Sequence, residues 1–198
     1  MRRVAWVLTI LVGGVAIGVL TVLGQKWLDG GWLAIVNSGA VWLVPAFAVG
    51  ARSRSDLTAA AAGTAILVVA VLAYYGSVPI LVPGASSSSR SVAIWVATSL
   101  VGGPMYGIAG HWWRTSRSWR AWAGIGLLAG AFLAEGLARL RARHYDAAGL
   151  TMVAIGMAVP LILGRSARER VFGLLAEGPV VVFTAGAYAV INWAFLHS

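Results

Sequence analysis

Two carboxyl groups in apolar stretches of this 198-residue sequence have the chemistry to act inside a membrane. Glu135 lies in the run 126–137, GLLAGAFLAEGL, and Glu177 stands just before Gly178 and Pro179 in the last apolar segment. The other four acidic residues lie in connecting segments near Arg or Lys, where a solvated carboxylate is the ordinary interpretation. Because an acid within a membrane span is costly, Glu135 and Glu177 are the first candidates for a functional site.

Glu135 allows two interpretations, because Arg139 follows it by four residues. Glutamate and arginine at this spacing form a favourable ion pair on one face of a helix. The alternative is a carboxylic acid that apolar surroundings keep protonated, so that it can donate a proton. The charge of Arg139 opposes the protonated state, and the two interpretations therefore compete directly.

Glu177 also allows two interpretations. If a helix starts or kinks near Pro179, Glu177 lies in or just before its first turn. There the free N–H groups and the helix dipole stabilise a carboxylate. If Glu177 is instead buried in the last span, it is a second candidate acid or part of a proton relay.

Polar and aromatic residues recur at similar depths in several of the apolar segments, close to the level of Glu135. An Asn in hydrocarbon needs a hydrogen-bonding partner, so such a level predicts a shared cavity between the helices. The alternative is that these side chains belong to the aromatic belt or join neighbouring helices. The candidate substrate-binding residues are Asn37, Trp42, Tyr74, Tyr75, Trp95, Tyr106, Tyr188, Asn192 and Trp193.

An acid in an aromatic-lined apolar cavity can protonate an alkene or an epoxide, and the aromatic faces then stabilise the carbocation. This chemistry needs no cofactor and no metal. Ionisation of a diphosphate needs Mg²⁺ held by clustered carboxylates, and this sequence has no two acidic residues close together. The sequence therefore favours a protonation-initiated cyclisation, with Glu135 as the proton donor and Glu177 as the second candidate.

Composition predicts that membrane helices position these residues. The chain is 60% hydrophobic and only 11% charged, whereas a soluble domain has about 45–50% apolar and about 25% charged residues. Cysteine is absent, which excludes disulfides and thiolate chemistry. The net charge of +9 is divided among short segments, so the continuous basic face of a nucleic-acid-binding protein is not expected.

Seven segments are long and apolar enough to be membrane spans of about 20 residues. The sequence predicts a single all-α domain over residues 1–198, a polytopic membrane bundle of seven helices. The predicted spans are Val4–Gly24, Trp32–Gly50, Leu57–Gly76, Val92–Gly110, Ala121–Ala138, Ala148–Gly164 and one within Val171–Leu196. The first span follows Arg2 and Arg3 and is too long for a signal-peptide core, so we expect it to remain uncleaved.

The loop charges predict that the N-terminus is inside and the C-terminus outside, because cytoplasmic loops of membrane proteins are enriched in Lys and Arg. In this orientation ten of the fifteen basic residues are cytoplasmic. They are Arg2, Arg3, Arg52, Arg54, Arg114, Arg117, Arg120, Arg165, Arg168 and Arg170, against Lys26, Arg90, Arg139, Arg141 and Arg143 outside. The expected location is the plasma membrane.

Three stretches carry a resemblance: NSGAVW (37–42), GGPMYGIAGHWWR (102–114) and GAFLAEGL (130–137). The chain resembles a family of small actinobacterial multi-span membrane proteins of unknown function. In size, span count and its acids and aromatics it is also similar to the seven-span membrane terpene cyclases of meroterpenoid and indole-terpenoid pathways. That likeness implies a prenylated substrate and an acid in the last span, which Glu177 matches. Those cyclases also carry an acid early in the chain, and spans two and three here have none.

Two other functions remain open at this stage. A small-molecule transporter, or the substrate-binding subunit of an uptake transporter, would use the same pocket to capture its substrate. A non-catalytic partner would pack through its glycine pairs, Gly14 with Gly18 and Gly126 with Gly130, which also predict a homo-oligomer. The expected partners are therefore the lipid bilayer, a hydrophobic prenylated molecule and a second copy of the chain, with no nucleic acid.

Overall fold

The structure is a computed structural model that describes the backbone of residues 2–141 and 146–196, and the side chains of 4–141, 147–184 and 186. Within these ranges the protein is all-α, as the sequence predicts. The helices are α1 (Arg2–Trp27), α2 (Gly30–Val36), α3 (Gly39–Ala51), α4 (Asp56–Leu81), α5 (Ser89–Thr115), α6 (Trp119–Arg141), α7 (Asp146–Leu163) and α8 (Ala167–Leu196).

Several of these helices have the length and composition of membrane spans. Among the described residues, four helices qualify, and a fifth span is added if the bent pair α2–α3 is counted as one. The four are Val4–Trp27, Asp56–Leu81, Ser89–Thr115 and Trp119–Arg141. The apolar part of α7, Ala147–Leu163, is shorter. The structure therefore supports a helical membrane protein.

The predicted second span is not one helix. It divides into α2 and α3, which are bent by 45° at Asn37 and Ser38. Ser38 is the N-cap of α3, and its hydroxyl accepts a hydrogen bond from the backbone N–H of Val41. A capping serine satisfies an N–H group that has no partner within the helix, which is why a new helix can start at this point.

The last helix differs from the sequence expectation in the opposite way. Pro179 neither ends α8 nor restarts it, since a single helix runs from Ala167 to Leu196. Glu177 is therefore in the interior of a helix, and its interpretation as the cap of a helix beginning near Pro179 is wrong. The cap of α8 lies earlier in the chain, where the hydroxyl of Ser166 accepts a hydrogen bond from the backbone N–H of Glu169.

Glycines allow the helix backbones to approach closely. Gly14 and Gly18 of α1 face α4, where they contact Val69 and Ala73. Gly126 and Gly130 of α6 face Ala176 and Val180 of α8, and a Cβ atom at Gly130 would lie 2.7 Å from the Cβ of Val180. Both pairs predicted from the sequence therefore pack within the chain, which leaves these faces covered by its own helices.

Candidate functional site

A cavity of about 260 Å³ lies between α1, the α2–α3 break, α4, α5 and α8. Its walls are mainly apolar and aromatic, with a few amides and hydroxyls. The lining residues are Thr21, Gln25, Val36, Asn37, Ser38, Gly39, Trp42, Leu43, Leu67, Val71, Tyr74, Tyr75, Trp95, Thr98, Ser99, Val101, Gly102, Met105, Tyr106, Phe183 and Thr184. A concave, largely apolar pocket with a few converging polar groups is the usual form of a small-molecule site.

Helical spacing explains why these residues converge. In α4 the lining residues Leu67, Val71 and Tyr74 are separated by four and three positions, so they share one face. In α5 the same spacing brings Trp95, Thr98 and Ser99 to one face, and that face continues to Tyr106. Thr21 and Gln25 of α1 are also four residues apart. Each helix thus contributes one stripe, and the cavity lies where the stripes meet.

The polar end of the cavity is a hydrogen-bonded relay of three side chains. The Tyr74 hydroxyl donates to Oε1 of Gln25 over 2.9 Å. Nε2 of Gln25 in turn donates to Oδ1 of Asn37, the residue at which α2 ends. Because the relay joins α1, the break and α4, it fixes the position of the amides while leaving further N–H and lone-pair positions for a ligand.

Aromatic rings form a second group beside the relay. The rings of Trp42 and Tyr74 meet edge to face with their centroids 5.9 Å apart, and Tyr74 meets Tyr75 in the same way at 4.9 Å. Trp95 of α5 also lines the cavity. Edge-to-face ring pairs of this kind contribute more stability than the burial of their apolar area alone would give.

Glu135 lies behind the break and holds it together. Its side chain is 5% exposed, and Oε2 accepts hydrogen bonds from the Ser38 hydroxyl and from the backbone N–H of Ala40, both over 2.9 Å. Oε1 accepts from Nε and Nη2 of Arg139 over 2.9 and 2.6 Å. Nη2 of Arg139 also donates to the carbonyl of Ala34 in α2. The ion pair of Glu135 and Arg139 thus joins α6 to both halves of the broken helix.

These contacts favour the first of the two interpretations of Glu135. All four hydrogen bonds are donated to the carboxyl oxygens, which is the pattern of an ionised, acceptor-only group. Glu135 is not among the described residues of the cavity wall, and Ser38, which does line the cavity, donates its hydroxyl hydrogen bond to the carboxyl group. The ion pair with Arg139 is therefore present in the structure, whereas the role of proton donor would require breaking at least one of these bonds.

Glu177 has a different environment. It is 3% exposed, and its Oε1 has no hydrogen-bonding partner among the described residues. It is not on the cavity wall, although Phe183 and Thr184 of the same helix are. Its backbone lies beside α6, since the Glu177 carbonyl would lie 3.3 Å from a Cβ at Gly130, and the preceding residue, Ala176, packs against Gly126.

A third buried glutamate, Glu169, lies at the opposite end of the bundle from the cavity. Oε2 accepts from Nε and the backbone N–H of Arg165, and Oε1 accepts from Nη2 of the same residue. Burial alone raises the pKa of Glu169, but the hydrogen bonds and charge of Arg165, with the charge of Arg117, outweigh burial and lower that pKa. Arg165 also donates to the Ser116 carbonyl, which joins two loops at this end.

An open polar recess of about 430 Å³ lies at the same basic end, lined by Asp56, His111, Trp112, Thr115, Ser116, Ser118 and Arg120. Nε2 of His111 is 3.8 Å from Oδ1 of Asp56, and Nδ1 lies 3.0 Å from the Ser53 carbonyl. Among the described residues, no three His, Asp or Glu side chains come together as metal ligands would. This recess is far from the residues that the sequence singles out.

The sequence matches one protein family over residues 1–194, nearly the whole chain. The chain belongs to the family of unknown function DUF6518. No curated protein and no solved structure matches the chain. The cavity and the three glutamate environments of this DUF6518 protein are therefore the observations from which its function has to be inferred.

Six of the nine substrate-binding candidates line the one cavity: Asn37, Trp42, Tyr74, Tyr75, Trp95 and Tyr106. The other three, Tyr188, Asn192 and Trp193, lie outside the residues whose side chains are described. Of the two catalytic candidates, neither lines the cavity. The structure thus brings the polar and aromatic candidates of this DUF6518 protein together and separates them from the acids.

Sequence reasoning missed two residues that organise the site. Ser38 is fully buried and links the cavity to Glu135, and Gln25 joins Tyr74 to Asn37. The signal for Ser38 was present, because Asn-Ser-Gly at 37–39 is a combination that interrupts helices. Gln25 falls just outside the predicted first span, Val4–Gly24, whereas helix α1 continues to Trp27.

Proposed function

We propose that this DUF6518 protein binds a small, uncharged, mostly apolar molecule within the membrane, as a transporter or as the substrate-binding subunit of a transporter. The observation that carries this proposal is the broken helix α2–α3, whose break at Asn37 and Ser38 opens on the cavity. Broken helices at mid-membrane sites are typical of transporters, because unwound backbone and helix ends are tolerated only where they line a cavity.

The charge of the wall supports an uncharged ligand. None of the described residues that line the cavity is Asp, Glu, Lys, Arg or His. A charged ligand would lose its hydration without gaining an opposite charge, which is strongly unfavourable in apolar surroundings. The relay of Gln25, Asn37 and Tyr74 offers a neutral hydrogen-bonding end instead.

The volume supports a small ligand. An apolar cavity of about 150 Å³ accepts benzene, so about 260 Å³ suits a molecule of roughly ten non-hydrogen atoms. A chain of fifteen or twenty carbons would extend well beyond these walls. The cavity therefore fits the head of a prenyl chain, or a ten-carbon molecule, better than a complete farnesylated or geranylgeranylated acceptor.

Geraniol is a suitable probe, because it is a neutral ten-carbon alcohol. Binding of tritiated geraniol to the purified protein in lipid nanodiscs would be compared with that of geranate, its charged analogue, and of geranylgeraniol. We expect saturable binding of geraniol, weaker binding of geranylgeraniol and none of geranate. Tyr74→Phe should weaken geraniol binding about fivefold, because one hydrogen bond contributes roughly 1 kcal/mol.

Trp42→Leu tests the aromatic wall, and Trp119→Leu at the opposite, exposed end is its matched control. We expect Trp42→Leu to reduce geraniol affinity and Trp119→Leu to leave it unchanged. Equal binding of geraniol and geranate, or equal effects of the two tryptophan substitutions, would overturn the proposal. Either result would mean that the probe enters the bilayer or the detergent and not this cavity.

A protonation-initiated terpene cyclase is the second candidate, because six aromatic rings line one cavity and could stabilise a carbocation. Such an enzyme needs a protonated acid within reach of the ligand, and Glu135 acts only across Ser38. Incubation of the protein with geraniol or a prenylated acceptor should yield cyclic products if this function holds. Glu135→Gln and Glu177→Gln would then abolish the products, and linear products only would exclude the cyclase.

For the membrane arrangement we propose seven spans, with α2–α3 as one broken span, α7 and α8 as the last two, and the N-terminus inside the plasma membrane. The absence of cysteine allows a direct test. Ser118→Cys and Ser86→Cys lie in exposed loops at opposite ends of α5. A membrane-impermeant maleimide added to intact cells should label residue 86 and not residue 118, and the reverse result would invert the proposed topology.

A further inference from the structure

We propose that Glu177 is a proton-binding site, and that its protonation holds α8 against α6 and thereby completes the wall of the cavity. This inference rests on the proposed function only in its last step, where the cavity is a ligand site. The proton site itself rests on the packing of α6 and α8.

The packing around Glu177 buries one oxygen of its carboxyl group without a hydrogen-bonding partner among the described residues. The residue is 3% exposed, and the oxygen is Oε1. The contact with α6 is made through Gly126 and Gly130, which bring backbones together and provide no polar side chain. A buried carboxylate without a partner is strongly unfavourable, whereas the protonated acid is neutral and far less costly to bury.

The charged and titratable groups of the surrounding helices are engaged elsewhere. In the part of α6 that faces α8, from Ala121 to Ala134, and in α7 from Ala147 to Leu163, the sequence contains none. Farther along α6, Glu135 and Arg139 bind each other. The remaining described charged groups of α6 and α8 are Arg120 over Trp112 and Trp119, Arg141 exposed at the end of α6, Arg168 over Trp122 and Phe172, Glu169 with Arg165, and Arg170 on the Gly164 carbonyl.

This comparison shows what makes Glu177 different. Glu135 and Glu169 each have an arginine four residues away in the chain, and both are held as ion pairs. At the same spacing from Glu177 the sequence has Gly173 and Val181, which offer no charge. Of the buried glutamates in the described residues, Glu177 is thus the one without an arginine partner, and binding a proton is the way to neutralise its charge.

Helix α8 connects this proton site to the cavity. Phe183 and Thr184, which line the cavity, follow Glu177 by six and seven residues in the same uninterrupted helix. At 1.5 Å per residue, they are roughly 9–10 Å farther along the axis. When Glu177 loses its proton, the charge favours withdrawal of α8 from α6, and the part of the wall that α8 contributes moves with it.

Proton binding and ligand binding are then linked. A ligand that prefers the closed wall must raise the affinity for the proton by the same factor by which the proton raises the affinity for the ligand. The protein would therefore hold its ligand tightly at low pH and release it as the pH rises. For a transporter this is coupling of a neutral substrate to a proton.

The test measures geraniol binding in nanodiscs between about pH 5 and about pH 9, a range that spans the values found for buried carboxyl groups. For the unmodified protein we expect the affinity to fall about tenfold across this range. Glu177→Gln, which mimics the protonated acid, should bind equally at both ends and as tightly as the unmodified protein at low pH. Glu169→Gln and His111→Gln are controls that should keep the pH dependence.

A second measurement does not depend on any ligand. Spin labels at Leu175→Cys on α8 and Leu137→Cys on α6, both at exposed positions, report the separation of the two helices. We expect the distance to increase at high pH with Glu177 present and to stay constant with Glu177→Gln. If this glutamine variant does not fold, Glu177→Met supplies a neutral side chain of similar volume for the same comparison.

The two measurements separate the two proposals. A pH-dependent distance without geraniol binding would support the proton site and overturn the proposed ligand. Geraniol binding that does not depend on pH, with a constant distance, would overturn the proton site and leave the ligand site intact. A pH dependence that persists in Glu177→Gln would also overturn the proton site, because another group would then be responsible.

Discussion

Two regions of the protein each bury a carboxyl group, but in opposite environments: the break between α2 and α3, and the contact between α6 and α8. At the break, Glu135 accepts four hydrogen bonds from Ser38, Ala40 and Arg139. At the α6–α8 contact, glycines bring the helices together and Glu177 keeps an oxygen without a partner among the described residues. The first region is polar and hydrogen-bonded, and the second is tightly packed but leaves Oε1 of Glu177 and Nε1 of Trp122 without partners among the described residues.

This difference indicates which of the two regions can move when the conditions change. A buried charge with its partners in place fixes one geometry, because any movement leaves the charge uncompensated. A contact made by small residues has no such restriction and depends on close packing alone. The break is therefore expected to be rigid, and α8 is expected to be the element that moves.

The largest effect should come from removing the cation at the break. Arg139→Ala leaves the carboxylate of Glu135 buried without its charged partner, so we expect a loss of about 3–5 kcal/mol of stability. Unfolding of the protein by SDS in mixed micelles measures this loss. Arg141→Ala, an exposed arginine of the same helix, is the control and should change little. Equal effects of both substitutions would mean that Glu135 does not hold the break.

The next effect tests the packing of α6 on α8. Gly130→Ala places a Cβ atom 2.7 Å from Val180, so the helices must separate, and we expect a cost of about 1–3 kcal/mol. Gly178→Ala is the matched control, because no atom lies within 4 Å of the added Cβ. It should stabilise helix α8 by about 0.5–1 kcal/mol. If both substitutions have the same sign in SDS unfolding, the described contact between α6 and α8 is wrong.

A smaller effect separates capping from the contact with Glu135. Ser38→Ala removes an N-cap and one hydrogen bond to the carboxylate, and we expect a loss of about 1–2 kcal/mol. Ser88 caps α5 with the same geometry but is exposed and has no glutamate partner. The excess cost of Ser38→Ala over Ser88→Ala, measured by thermal unfolding, therefore reports the hydrogen bond to Glu135. If the two substitutions cost the same stability, Ser38 acts only as a helix cap.

The smallest effect concerns acid. The pKa of Glu169 is lowered when the protein is folded, so its stabilising contribution is complete above the ordinary value of 4.5. This contribution decreases as the pH falls through the lower folded value. We expect the unmodified protein to lose stability below about pH 4.5 and Glu169→Gln to lose less. The sign is opposite to that proposed for Glu177, whose contribution should decrease as the pH rises.

The sequence predicts the positions of the long helices and most of one wall of the cavity. Long apolar runs locate the helices. The depth of polar and aromatic residues within these runs identifies Asn37, Tyr74 and Trp95, because residues at similar depths in neighbouring spans meet in a bundle. The pairing of Glu135 with Arg139 also follows from spacing alone. The other cavity residues of α4 and α5 follow only when the orientation of each helix is known.

What the sequence could not provide is the tertiary environment that overrides local signals. A proline normally interrupts a helix, but Pro179 lies within the continuous helix α8. An uninterrupted apolar run normally forms one span, but a carboxylate supplied by α6 stabilises a break at Ser38. The environment of Glu177 depends on which face of α8 meets Gly126 and Gly130, and hydrophobicity alone does not determine that face.

The hydrogen bond from the backbone N–H of Ala40 to Glu135 spans 95 positions of the chain. During synthesis, therefore, the first turn of α3 enters the membrane long before its carboxylate partner has been translated. Until α6 is inserted, the backbone N–H of Ala40 lacks this partner, and the Asn37–Gly39 junction has the serine cap and the hydrogen bond from Gln25 of α1. Truncation of the chain before α6 should accordingly yield a fragment whose second hydrophobic segment has not acquired its final bend.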